Sequence, residues 1–186
     1  SSIIDYEDRN TCILFGDGAG AAVIQPIDDS APGIIDSINF IDGSGAKHLH
    51  MKAGGSRMPA TEQTVNDKMH YVYQEGGEVY KRAVRGMADV ALQVVEKNGF
   101  QKSEVKLLVP HQANTRIIAA AQRRLDLTDE QVIITIDRFG NTTSASIPTA
   151  LQVAYEEGRV EKGDLVVLVS FGAGFTWGAT LLRWGL

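Results

Sequence analysis

Between Glu78 and Lys97, apolar residues fall at Tyr80, Ala83, Val84, Met87, Ala91, Val94 and Val95. These steps of three and four gather on one face of a helix, so the spacing predicts a helix over this segment, stopped by Asn98-Gly99. Downstream, the pattern alternates between short apolar runs and amphipathic stretches. Lys106–Pro110, Val132–Asp137, Leu165–Ser170 and Ala179–Trp184 read as strands, with helices at Thr115–Leu125 and Ser146–Glu157. This β-α-β-α-β order predicts a parallel sheet, its strands bare of polar residues because helices cover both faces.

Upstream, Gly33–Phe40 reads as a strand and His48–Gln63 as an extended surface loop. Thr11–Phe15 and Ala21–Ile24 flank Gly16-Asp17-Gly18-Ala19-Gly20 and end at Pro26, which predicts strand, glycine bend, strand. Asp28–Gly33 is a turn-rich linker. Phe171-Gly172-Ala173-Gly174-Phe175 echoes the earlier glycine bend, suggesting a duplicated architecture in which residues 1–27 close a preceding half and residues 28–186 form the next.

Composition narrows the class. The 186 residues are 44% hydrophobic, enough for one core, and the net charge of −5 argues against a nucleic-acid surface. No apolar run approaches the roughly 18 residues of a membrane helix, and no basic region followed by an apolar stretch marks a secretory signal. A lone Cys12 permits no internal disulfide and fits a reducing compartment, so the expectation is a soluble cytoplasmic protein. A start at Ser1-Ser2-Ile3-Ile4, without Met, predicts a fragment or a processed chain.

In open α/β sheets, ligands bind beyond the carboxyl ends of the parallel strands. Three polar segments occupy such positions: His111-Gln112-Ala113-Asn114, Phe139-Gly140-Asn141-Thr142-Thr143-Ser144, and Phe171-Gly172-Ala173-Gly174. Pro110 fixes the strand exit before His111, whose neutral imidazole has the chemistry to donate through Nε2; a strand-end histidine bonded to backbone is the competing reading. The Asn141 amide has the chemistry to donate to an oxygen gaining negative charge, or to cap a turn. Backbone N–H groups of the second glycine bend form a candidate half of an oxyanion hole. The first glycine run is followed by Ala21-Ala22-Val23-Ile24 and Pro26 instead of a phosphate-binding helix, which excludes a dinucleotide site. Arg116 and Arg123 share a helix face with Arg124 beside them, forming either a solvated face or a basic ridge for an acidic partner. His48, His50 and His70 have no thiolate or carboxylate at ligand spacing, so no metal is expected, and Cys12 reads as a buried structural thiol.

Three motifs together carry a resemblance: Val109-Pro110-His111-Gln112-Ala113-Asn114-Thr115-Arg116-Ile117-Ile118, Asp137-Arg138-Phe139-Gly140-Asn141-Thr142-Thr143-Ser144-Ala145-Ser146, and Phe171-Gly172-Ala173-Gly174-Phe175-Thr176-Trp177-Gly178. In this order they resemble the β-ketoacyl-acyl carrier protein synthase III family of thiolase fold, and the similarity runs from about Asp8 to Leu186. The resemblance implies an α/β fold: a thiolase-like half with a mixed five-stranded sheet covered by helices, plus the last strands of the preceding half. It implies a decarboxylating Claisen condensation that starts fatty acid synthesis. A cysteine takes an acyl group from acyl-CoA, and malonyl-acyl carrier protein supplies the carbanion, with no further cofactor.

By motif match, His111 and Asn141 would bond the malonyl thioester oxygen, Ala173 N–H would serve the other oxyanion hole, and Phe171 and Leu49 would wall the site. Coenzyme A would meet Arg9, Gly76, Tyr80, Ala113 and Asn114, with Tyr80 standing where the family usually has Phe. Lys81, Arg116, Arg123 and Arg124 match the surface that receives the acidic carrier protein. The complete form would be a homodimer.

One departure bears on activity. The family's nucleophilic cysteine belongs to a helix start in the first half, upstream of Ser1, and Cys12 sits in a strand-like run that cannot replace it, so this chain alone is expected to be inactive. Two other readings stay open: a thiolase-fold acyltransferase of secondary metabolism working without decarboxylation, and a non-catalytic module that binds coenzyme A or carrier protein.

Overall fold

The computed structural model describes residues 2–28 and 31–186. Ser1, and the Asp29-Ser30 part of the expected linker Asp28–Gly33, lie outside the described residues. The first elements are strand β1 (Ile34–Ile41), strand β2 (Leu49–Met51), helix α1 (Glu62–Asn66) and strand β3 (Val72–Gln74). Next come helix α2 (Gly76–Lys97), strand β4 (Val105–Pro110) and helix α3 (Thr115–Leu125). The chain closes with helices α4 (Ile136–Phe139) and α5 (Ser146–Glu156) and strands β5 (Leu165–Gly172) and β6 (Thr176–Arg183).

The periodic segments fold as their spacing requires. The apolar stripe of α2 buries Ala83, Met87, Val90, Ala91, Val94 and Val95 against Leu108, Val167 and Leu181 of the sheet and Ile118 and Leu125 of α3. On the opposite sheet face Leu107, Val109 and Val166 meet Ala150, Val153 and Ala154 of α5. Alternation along β5 sends Leu165, Val167 and Val169 to the first cluster and Val166 to the second. Burial on both faces explains why these strands carry no polar residues over their central stretch.

The sheet is α/β and mixed, with strand order β1-β6-β5-β4. Among the described strands, β4 and β5 alone pair in parallel; β6 is antiparallel to both β5 and β1. The expected run of parallel strands is thereby corrected. The expected fifth strand, Val132–Asp137, is reduced to one parallel bridge, Leu108↔Val132, before the chain turns into α4. Gln112 supplies the reason. Its fully buried carboxamide donates to the carbonyls of Pro110 and Ile133, and its oxygen accepts from the N–H groups of Thr135 and Ile136. A side chain has taken the hydrogen bonds that a continuing ladder would have used.

The predicted strand, bend and strand over residues 11–24 do not form. Residues 11–14 are turns, and Phe15 makes a single bridge to Asn141. Ala21–Ile24 joins no strand among the described residues, and Val23 and Ile24 are 96% and 78% exposed. An extended run needs a neighbour to take its backbone groups, and none lies beside it here. Within the expected His48–Gln63 loop, β2 pairs with β3 and Thr61 caps the short α1.

Candidate active site

The ends of β4 and β5, the β5–β6 turn and the start of α2 surround an open cleft of about 1080 Å³. His111 enters at the exit of β4, where its N–H donates to the Val169 carbonyl at 2.8 Å and extends the parallel pairing by one residue. Asn114 caps α3 by accepting from the Arg116 N–H at 2.9 Å, which fixes the short link between imidazole and helix. The His111 ring is buried, with Nδ1 2.6 Å from Ser146 Oγ. That burial pushes the imidazole down to about 4, against an opposing influence of the Thr143 carbonyl, so His111 is neutral at pH 7.

Asn141 arrives from the loop before α5 and is held by a segment far away in sequence. Its N–H donates to the Leu14 carbonyl at 3.0 Å, and its own carbonyl accepts from the Gly16 N–H at 2.9 Å. The glycine run makes this approach possible. A Cβ on Gly16 would lie 2.6 Å from the Phe139 carbonyl oxygen, and one on Gly20 would lie 2.4 Å from the Pro148 ring. The role of the run is thus close packing beside the Asn141 loop.

Asn141 Oδ1 accepts from the Thr143 N–H at 2.9 Å. An N–H has to face an oxygen, so this contact assigns the carboxamide and turns its NH₂, a donor, to other partners. Thr143 reaches that position with φ 54°, a left-handed conformation that costs a β-branched residue about 1–2 kcal/mol. The Thr143 carbonyl accepts the Ser146 backbone N–H and lies 2.8 Å from Ser146 Oγ, so a hydrogen-bonded path through Ser146 and Thr143 links His111 to Asn141.

Each expected site residue has a definite place. His111, Asn141, Phe171 and Ala173 line the cleft together, as do Leu49, Gly76 and Tyr80 on its other wall and Ala113 and Asn114 at its edge. Phe171 is buried against Phe175, ring centroids 5.0 Å apart, and Ala173 is exposed at the β5–β6 turn. Gly174 follows with φ 139°, where a Cβ would meet the Thr176 N at 2.9 Å; only glycine permits so tight a return. Arg9 is exposed in a turn whose next residue, Asn10, lines the cleft.

Lys81, Arg116, Arg123 and Arg124 lie outside the cleft lining. Arg116, Arg123 and Arg124 project from the exposed face of α3, while Ile117, Ile118, Ala121 and Leu125 are buried. Arg124 pairs with Asp89 of α2 at 3.2 Å and Lys81 with Glu78 at 2.7 Å, so both cations have acidic neighbours. Cys12 is half-buried in a turn, not in the strand its sequence suggested.

Sequence reading missed the supports of the site: Ser146 beneath His111, Gln112 tying β4 to residues 133–136, and Leu14–Gly16 holding Asn141. Ser146 carries a faint signal as the helix start before Pro148; no local pattern announces the others. Among the described residues, no group of three or more His, Cys, Asp or Glu is placed to hold a metal ion, and no helix is long and apolar enough to cross a membrane.

Residues 95–184 match the family model for the C-terminal part of 3-oxoacyl-[acyl-carrier-protein (ACP)] synthase III, and residues 1–43 match the companion model of the same enzyme. The chain belongs to the β-ketoacyl-[acyl-carrier-protein] synthase III family. It is 55% identical over 185 residues to the synthase III of Symbiobacterium thermophilum, covering all of this chain and 56% of that one. It is 53% identical to the synthase III of Solibacter usitatus over 99% of this chain and 56% of the relative.

The solved synthase III of Thermus thermophilus superposes with a TM-score of 0.88 at 45% identity, covering 99% of this chain and 56% of that structure. That of Pseudomonas aeruginosa gives 0.88 at 39% identity, covering 100% and 55%. The chain therefore spans about half the length of the synthase III relatives it matches.

Proposed function

We propose that this chain supplies the malonyl-activating part of a β-ketoacyl-acyl carrier protein synthase III, a condensing acyltransferase that joins acyl-CoA to malonyl-acyl carrier protein with loss of CO₂. In this reading, residues 1–27 end the preceding thiolase-like half and residues 28–186 form the C-terminal half. The observation that carries it is the meeting of His111 and Asn141, thirty residues apart, in one cleft and on one hydrogen-bond chain. A neutral imidazole and a carboxamide are two uncharged donors. Placed on a thioester oxygen, they stabilise the enolate that forms as CO₂ departs, and a buried setting strengthens both bonds. Protonated imidazole would invite the malonyl carboxylate itself, and the depressed His111 pKa keeps that form away at neutral pH.

Ala173 N–H serves the second oxyanion hole, with Phe171 against the departing carboxylate and Leu49 in the acyl wall. Pantetheine runs past Gly76, Tyr80, Ala113 and Asn114, with Arg9 toward the adenine end. Lys81, Arg116, Arg123 and Arg124 receive the acidic carrier protein. The nucleophile comes from the other half, the complete enzyme is a homodimer, and the setting is cytoplasmic.

The test is CO₂ release from malonyl-acyl carrier protein by the full-length protein containing this segment. Removing one oxyanion donor typically costs about 10²–10³ in rate. His111→Ala and Asn141→Ala should each fall in that range; wild-type rates in both would refute the assignment.

A further inference from the structure

The contacts of Ser146 set up a choice that the His111 assignment does not settle. Ser146 is 2% exposed at the start of α5, and three groups surround its hydroxyl oxygen. The Gln112 N–H donates to Oγ at 3.3 Å, His111 Nδ1 lies at 2.6 Å and the Thr143 carbonyl oxygen at 2.8 Å. A serine hydroxyl has one proton, so it bonds either Nδ1 or the carbonyl. The choice fixes the imidazole tautomer. If the proton goes to Thr143, Nδ1 must carry hydrogen to bond Oγ, and a neutral ring then turns a bare Nε2 to the cleft. If the proton goes to Nδ1, Nε2 carries the hydrogen and faces the cleft as a donor.

We infer that Ser146 donates its proton to His111 Nδ1 and is the positioning residue that holds the ring as the Nε2–H tautomer. This rests on the reading that His111 donates to a thioester oxygen, because a bare Nε2 would repel that oxygen. A second observation comes from the Thr143 carbonyl, which already accepts the backbone N–H of Ser146 and so loses little when the hydroxyl turns away. The Gln112 N–H holds one Oγ lone pair and pins the oxygen where its proton reaches Nδ1.

Removing the hydroxyl reverses the selection. Without it the acceptor left beside Nδ1 is the Thr143 carbonyl, which lies 2.8 Å from the hydroxyl oxygen that Nδ1 now touches. A carbonyl only accepts, so it recruits hydrogen to Nδ1 and strips it from Nε2. Ser146 therefore shields His111 from the neighbour that would select the unproductive tautomer, a function distinct from beginning α5.

The decisive measurement is imidazole ¹⁵N NMR on the full-length protein containing this segment, near pH 7, with the His111 signal assigned by its loss in His111→Ala. The wild type should show hydrogen on Nε2 and a bare Nδ1, and Ser146→Ala should show the reverse. Malonyl-dependent CO₂ release in Ser146→Ala should drop at least about tenfold, since a histidine held in the wrong tautomer loses far more in related chemistry. Hydrogen on Nδ1 in the wild type overturns the inference without any variant having to fold. Full CO₂ release in Ser146→Ala, with release lost in His111→Ala, removes the role of Ser146 alone. Full release in His111→Ala removes the underlying reading as well.

Discussion

His111 shows how one residue's surroundings set its chemistry and how that chemistry feeds back on stability. Its pKa lies near 4 in the fold against an ordinary 6.5. Between those values the unfolded chain binds a proton that the folded chain refuses, so stability falls as pH drops from about 6.5 toward 4 and then levels off for this group. The full span corresponds to roughly 3 kcal/mol. Urea unfolding of the full-length protein at pH 7 and at pH 4.5 should show this loss, and His111→Gln should reduce it. Equal pH dependence in the two proteins would contradict the assignment of this proton to His111. Glu78, lowered chiefly by Lys81, and Glu130, lowered chiefly by a backbone hydrogen bond, begin to lose their contribution near their ordinary 4.5, and the comparison with His111→Gln cancels them. Asp5 and Asp8, lowered chiefly by backbone hydrogen bonds, and Asp36, lowered chiefly by Lys97, titrate below their ordinary 3.8 and so act at more acid pH.

At the scale of elements, the contrast between α2 and residues 132–137 marks where local pattern loses to tertiary contact. The α2 stripe predicted a helix over residues 78–97, and Gly76–Lys97 is helical because Ala83, Met87, Ala91, Val94 and Val95 find sheet and α3 beneath them, while Tyr80 stays exposed at the cleft. Residues 132–137 have an equally plain apolar run, yet the pairing to β4 ends with the Val132 bridge and its Ile133 N–H bond to the Leu108 carbonyl, because Gln112 takes the Ile133 carbonyl and the Thr135 and Ile136 N–H groups. Gln112→Leu keeps about the same size and leaves the Thr135 and Ile136 N–H groups and the Ile133 carbonyl without these bonds. An orphaned buried polar group costs about 1–3 kcal/mol. The expected loss is therefore at least 2 kcal/mol in the urea unfolding free energy of the full-length protein; an unchanged midpoint would mean that the clamp contributes nothing. The same contrast explains the glycine run. It reads as a bend between two short apolar runs, whereas its actual partner is the Asn141 loop, reached because Gly16 and Gly20 present no side chain.

For the molecule as a whole, the cleft assembles donors while the sequence contributes a single thiol. Cys12 is half-buried in a turn among residues 11–14 and does not begin a helix. Incubating the chain of residues 1–186 with acyl-CoA should leave its intact mass unchanged. A stable acyl adduct on Cys12 would require a nucleophile that this geometry does not provide.

The sequence by itself determined α2, α3 and α5 and the four sheet strands to within a few residues, and it marked His111 and Asn141 as candidate donors. Those features follow from the 3.6-residue period, from short unbroken apolar runs and from the side-chain groups themselves, which act over short stretches of chain. Only the tertiary structure decided that residues 132–137 stop at one bridge, that Leu14 and Gly16 clasp Asn141, and that Ser146 stands against His111. Each of those outcomes depends on which distant partner satisfies a buried donor or acceptor, and that assignment exists only once the chain has closed on itself.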